Sequence, residues 1–135
     1  FFHTDAEQAF GKIPLRVDNT DIDLLSISGH KIYGPKGVGA LYIRRRPAVR
    51  MMPLLYGGGQ EKGIRAGTIA PHQVVGLGEA ARLASLEMHD ESMRIGELGS
   101  FFYQQLVTQL PDIHLNGHRT LRLGGSFNIS FDGDK

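Results

Sequence analysis

The chain has 135 residues, 41% apolar and 21% charged, with a formal net charge of +1. That is room for one modest core, an ordinary soluble composition, and no bulk charge pointing to nucleic acid or a membrane surface. It contains no cysteine, which excludes a disulfide framework and thiolate metal sites, and no apolar run approaches the roughly 18 residues of a spanning helix. Phe1 to Thr4 is predicted as a short parallel strand, and Asp5 to Phe10 as a helical turn broken by Gly11 and Pro14. Asp23 to Ile27 is the next strand. Gly34-Pro35-Lys36-Gly37 is a turn, and Val38 to Ile43 is β-rich enough for a third strand. Val49 to Leu55 fits either strand or loop, and Gly57 to Gly67 is a glycine-bearing loop. A helix follows: Pro71 suits its first position, and Val74, Val75, Leu77, Ala80, Ala81 and Ala84 recur at helical spacing. Glu87 to Arg94 is polar, which fits a kink or a solvent face. Leu98, Phe101, Phe102, Leu106 and Leu110 continue the stripe until Pro111 ends it. The stripe reads as core or subunit interface. Ile113 to Leu115 and Ser126 to Phe131, with an Asn116-Gly117 turn, are predicted strands of another sheet. The composition shift near residue 111 places a domain boundary there: 1–110 in one domain, 111–135 opening a second.

The chemistry concentrates at strand ends. Ser26-Ile27-Ser28-Gly29-His30-Lys31 ends an apolar run and leads into a Gly/Pro turn. In α/β folds ligands bind at that sheet edge. A lysine amine partly desolvated there becomes a nucleophile. Ser28 and His30 flank it with a hydroxyl and an imidazole, a pair suited to a phosphate. His3-Thr4-Asp5-Ala6-Glu7-Gln8 also ends an apolar strand and brings an acid and an amide. These are the parts of a pyridoxal 5′-phosphate (PLP) site. The aldehyde is held by a lysine (Lys31), the ring nitrogen is kept protonated by a carboxylate (Asp5), and the phosphate is clamped by donors (Ser28, His30). Gln8, a turn beyond Asp5, reaches toward the ring hydroxyl. On the residues alone, Lys31 reads equally as a surface lysine in a turn, Asp5 as a helix cap, and His30 as a structural turn histidine. Gly34 to Gly39 lacks the Walker spacing, and His3, His72, His114 and His118 lack a helical metal spacing, so no metal is expected.

His3-Thr4-Asp5-Ala6-Glu7-Gln8-Ala9, the run from Ser26 to Gly39, and Gly57-Gly58-Gly59-Gln60-Glu61 followed by Arg65-Ala66-Gly67-Thr68 resemble cysteine desulfurases. More narrowly, they resemble the housekeeping iron–sulfur-cluster-assembly branch of the fold-type-I PLP enzymes, in the class V aminotransferase superfamily. The resemblance covers essentially the whole chain. It implies an α/β fold: the later part of a large, mostly parallel-sheet PLP domain plus the start of a small α+β domain. It makes Lys31 the cofactor-binding and proton-shuttling lysine, Asp5 the partner of the pyridinium nitrogen, and Gln8 the contact to the ring oxygen. Ser28 and His30 become phosphate ligands, and Thr68 a phosphate ligand lent across a homodimer interface, with Arg65 an anion contact in the same loop. The implied reaction converts L-cysteine to L-alanine, sulfur leaving on an enzyme persulfide for iron–sulfur clusters and tRNA thiolation. The implied compartment is the bacterial cytoplasm or the mitochondrial matrix. The catalytic cysteine is expected beyond the strand matched by Ser126 to Phe131. The ring-stacking histidine and a phosphate-holding helix N-terminus are expected upstream of Phe1. The sequence is thus read as an internal piece carrying the lysine half of the chemistry.

Arg44-Arg45-Arg46 with Arg50 is the one charge run. It reads either as a solvated strand end or as a docking patch for acidic partners. The resemblance implies frataxin-like, scaffold and sulfur-carrier proteins, although Ala48 interrupts the pattern. No aromatic residues interleave the arginines, which disfavours nucleic acid. Two rival readings stand beside the main one. The piece is itself a non-catalytic folded fragment with exposed apolar surface, or the parent is another fold-type-I enzyme, such as a selenocysteine lyase or aminotransferase.

Overall fold

The computed structural model describes residues 1–133; Asp134 and Lys135, the end of the last predicted segment, lie outside the described residues. The chain divides into two compact units, Phe1–Ser85 and Leu86–Lys135, the dividing point falling inside a helix. In the first unit, strands β1 (His3–Asp5), β2 (Leu24–Ser28) and β3 (Gly39–Ile43) form one sheet in the order β1-β2-β3. β1 starts two residues later and ends one residue later than the predicted Phe1 to Thr4, and Phe1 is 91% exposed. β1 and β2 are parallel, with His3 opposite Leu24 and Asp5 opposite Ser26. Residues 6–23 leave enough chain for a parallel crossover, whereas the short return from β2 allows only an antiparallel β3, with Ser28 opposite Gly39. The sheet is therefore mixed at this edge.

A single helix, α1 (Pro71–Gln109), follows. Glu87 to Arg94 continues it without a break, so the polar stretch is solvent-facing helix. Exposed i,i+3 pairs Glu79–Arg82 and Glu91–Arg94, each at 2.7 Å, line it. The hydrogen bond from Arg82 holds the Glu79 carboxyl below the usual carboxylate range, and that from Arg94 does the same for Glu91. Pro111 stops the helix: it offers no N–H and biases Leu110 away from helical backbone.

The first unit's core consists of Ile32, Leu77 and Ala80, with Phe10, Val38, Ala81 and Ala84 packed against it. Ile32 comes from the turn after β2, and Leu77 and Ala80 from α1, so the turn bearing Lys31 is bolted to the helix. Gly76 completes the fit: a Cβ there would lie 2.5 Å from Cγ of Pro35. The Gln73 side-chain amide also donates to the Lys36 carbonyl at 3.1 Å.

The basic run is not a uniform patch. The Arg44 side chain is only 17% exposed and is turned inward. It donates to the carbonyls of Ile22 (2.9 Å), Val17 (2.9 Å) and Thr20 (2.6 Å) and lies 3.8 Å from Asp23. Asp23 in turn accepts the Phe2 N–H at 2.8 Å. Arg44 therefore belongs to the fold, tying β3 to the 17–23 loop, and Arg45, Arg46 and Arg50 are left as the exposed cations. Replacing Arg44 by alanine strips these carbonyls of a charged donor. In chemical denaturation it is expected to cost about 2–3 kcal/mol, against less than about 0.5 for Arg45→Ala. Equal effects would refute the inward role.

The second unit pairs β4 (Ile113–Asn116) with β5 (Asn128–Phe131) antiparallel, Ile113 opposite Phe131. The Phe127 ring stacks on Tyr103 at 5.8 Å and takes the Arg122 guanidinium 3.9 Å from its centroid. The same guanidinium donates to the Ser126 carbonyl at 3.0 Å. The Leu98, Phe101 and Phe102 stripe stays exposed, Phe101 at 61%, so it is not core among the described residues. Met52, Leu54, Leu55 and Tyr56 are also exposed, on irregular backbone.

Candidate active site

Parallel pairing of β1 and β2 brings both C-terminal ends to one sheet edge. Side chains opposite each other in a parallel pair share a face, as do alternate residues along a strand. His3, Asp5, Ser26 and Ser28 therefore share one face. The geometry gathers five of the residues singled out from sequence around this edge: Asp5 and Gln8 at and beyond the end of β1, Ser28 at the end of β2, and His30 and Lys31 in the turn that follows.

Each is held in a way that leaves chemistry available. Asp5 Oδ1 accepts the Glu7 N–H at 3.0 Å, an Asx turn that fixes the carboxyl and leaves Oδ2 open. Gln8 Oε1 accepts from Lys12 Nζ at 3.2 Å, which leaves its Nε2 as a donor. Ser28 Oγ and His30 Nδ1 are 2.9 Å apart. If Ser28 donates, His30 carries its proton on Nε2; if His30 donates, the Ser28 hydroxyl proton is released. Either tautomer presents one N–H or O–H to an anion. Lys31 is half-buried and its Nζ makes no hydrogen bond among the described residues. Its backbone is held by the buried Ile32 and by the Gly34 N–H bonding back to the Gly29 carbonyl at 2.9 Å.

Thr68 stands apart from these five. It is exposed, on the loop before α1, and no hydrogen bond joins it to them among the described residues. Arg65, expected as an anion contact, donates from Nη1 to the Gly67 carbonyl at 2.7 Å. One pair was missed from the sequence. His3 Nε2 and Ser26 Oγ are 2.7 Å apart, on the face that carries Asp5. Only cross-strand register reveals it, because the two residues stand in different segments.

The donor set fits PLP: an unpartnered primary amine, a carboxylate with one open oxygen, an amide N–H and a Ser–His donor pair. Among the described residues no His, Cys, Asp or Glu cluster is placed to hold a metal ion, and no helix is long and apolar enough to cross a membrane.

Residues 1–134 match the family described as Aminotransferase class-V. The chain is 55% identical over 132 residues to a cysteine desulfurase IscS of Ehrlichia chaffeensis, covering 97% of this chain and 32% of that protein. It is 54% identical over 131 residues to a cysteine desulfurase of Rattus norvegicus, covering 97% and 29%. A solved NifS-like protein from Rickettsia africae superposes with a TM-score of 0.89 at 31% identity, covering 96% of this chain and 35% of that one. A structure described as SspA in complex with cysteine gives 0.73 at 38% identity, covering 97% and 35%. The chain spans about a third of the length of the curated relatives it matches.

Proposed function

Because this chain belongs to the class-V aminotransferase family, we propose that it forms the lysine-bearing part of a PLP-dependent cysteine desulfurase, with residues 1–110 in the large domain and 111–135 opening the small one. The observation that carries the proposal is the shared edge of β1 and β2, where Asp5, Ser28, His30 and Lys31 converge. The relatives named cysteine desulfurase support the choice of reaction within the family.

Bound PLP supplies an aldehyde for the substrate amine and a ring that withdraws electrons from the substrate carbon skeleton. Lys31 would hold the aldehyde of PLP, and its amine, when free, would carry protons. Asp5 Oδ2 would hold a proton at the ring nitrogen, Gln8 Nε2 would donate to the ring oxygen, and the Ser28–His30 pair would donate to the phosphate. Thr68 completes the phosphate site of the other protomer in a homodimer. The balanced reaction takes L-cysteine and a protein thiol to L-alanine and a protein persulfide. The C–S bond breaks, an S–S bond forms, and the thiol's proton passes through solvent or Lys31 to the alanine carbon. The chain holds no cysteine, so the accepting thiol is assigned to a part of the protein outside this sequence. Persulfide sulfur then goes to iron–sulfur scaffold or sulfur-carrier proteins. Arg45, Arg46 and Arg50, with Arg44 removed from the patch, form the proposed contact for acidic partners of that kind, including frataxin-like ones. The bacterial and mammalian relatives fit the bacterial cytoplasm or the mitochondrial matrix.

The test is product analysis of the complete enzyme with L-cysteine. Stoichiometric alanine and reductant-releasable sulfide are expected; turnover of selenocysteine or keto acids with no alanine from cysteine would overturn the desulfurase assignment.

A further inference from the structure

Thr68 sits on an exposed loop, yet Gly67 before it is held through both its N–H and its carbonyl. The Gly67 N–H donates to Gln60 Oε1 at 3.0 Å, and the Gly67 carbonyl accepts from Arg65 Nη1 at 2.7 Å. Gly67 has φ +101, a backbone region that side chains rarely adopt. A glycine released from such a conformation has wide freedom, and Thr68 would share it. The loop passes close to the Gln60 amide: a Cβ at Gly58 would lie 2.5 Å from Gln60 Oε1 and 2.7 Å from its Nε2. Gln60 opens a tight turn whose next residues, Glu61 and Lys62, have φ 49 and 58. Backbone strain of this kind persists only where neighbouring contacts hold it. Two side chains holding the peptide units on either side of Gly67, with strained backbone between them, are more than a solvent-exposed loop requires.

We infer that Gln60, assisted by Arg65, is a positioning residue for Thr68: Gln60 holds the 66–67 peptide and Arg65 the 67–68 peptide, so that the Thr68 hydroxyl is presented to a phosphate. The inference rests on the cofactor site proposed above. Gln60 supplies the acceptor as a neutral amide, which adds no negative charge beside the anion. Arg65 supplies the donor and leaves a net positive charge in the loop. Neither side chain is required to touch the phosphate; both act through the backbone of Gly67.

The test uses the complete dimeric enzyme, stripped of cofactor and titrated with PLP and, separately, with pyridoxal, which lacks the phosphate. Gln60→Met keeps the side-chain length and removes the acceptor. It is expected to weaken PLP binding by roughly 3- to 10-fold, the effect of one net hydrogen bond, with pyridoxal affinity unchanged. Thr68→Ala is expected to lose at least as much. The double variant is expected to bind PLP no more weakly than Thr68→Ala alone, since Gln60 then has nothing left to position. The phosphorus NMR resonance of bound PLP is expected to move alike in both single variants, and Arg65→Met repeats the pattern as an independent check. Additive losses in the double variant, or equal losses for pyridoxal, would overturn the inference while leaving Thr68 a phosphate ligand. An unchanged PLP affinity in Thr68→Ala would remove the phosphate role of Thr68 and the inference with it.

Discussion

Lys31→Ala in the complete enzyme is expected to abolish alanine formation from cysteine and, with it, every borohydride-fixable bond between protein and PLP. Ile32 is buried in the core beside Leu77 and Ala80, and Pro35 is set into the notch at Gly76. The backbone of the 29–35 turn is therefore fixed, and Lys31 has little freedom except in its side chain. Its Nζ makes no hydrogen bond among the described residues, so the amine is available to a carbonyl carbon. Lys12 bonds Gln8 through its amine, and Lys36 and Lys62 are exposed. Alanine removes both the attachment point and the proton carrier, so the rate is expected to fall by about 10³-fold or more. Lys31→Arg is expected to fail equally, because a guanidinium keeps its proton and cannot act as a nucleophile. Folding should survive, since Lys31 is only half-buried and the turn is held by its neighbours. A reducible PLP–protein bond persisting in Lys31→Ala would refute the role.

Much of the site was legible because its residues end strands, and strand ends can be read from short stretches. Leu25 and Ile27 alternate with Ser26 and Ser28 and the run stops at Gly29, which announces β2 and delivers Lys31 in the turn that follows. The stripe from Val74 to Ala84 likewise announces α1. Illegible features depend on two distant segments meeting. Arg44 looks like one arginine of three, and nothing near it in sequence tells that the Val17, Thr20 and Ile22 carbonyls await it. The His3–Ser26 and Gln60–Gly67 bonds join residues 23 and 7 positions apart, and side chain to backbone contacts leave no compositional trace. The polar run from Glu87 to Arg94 allowed a kink because its two apolar residues, Met88 and Met93, are too few to show a helical period. Helix continuity there comes from backbone hydrogen bonding and the Glu91–Arg94 pair.

Asp5→Asn is the substitution that separates the charge of this residue from its structural work. Asp5 Oδ1 accepts the Glu7 N–H at 3.0 Å, and an asparagine carbonyl oxygen accepts it equally well. The local turn is therefore kept, and stability is expected to stay within about 0.5 kcal/mol. What changes is the second position. In place of Oδ2, a carboxylate oxygen able to accept and hold a proton at the ring nitrogen, asparagine offers Nδ2, which only donates. Two donors cannot share one hydrogen bond, so the ring nitrogen is left without its proton and the ring withdraws electrons poorly. Cysteine turnover is expected to fall by about 10²- to 10³-fold, the scale of losing one charge-matched group at a reacting centre. PLP is expected to remain attached to Lys31, because that bond does not involve Asp5. Measuring kcat and denaturant stability on the same variant distinguishes the two roles. A large kcat loss with unchanged stability assigns Asp5 to the ring nitrogen. An unchanged kcat leaves it only the cap of the turn at Glu7.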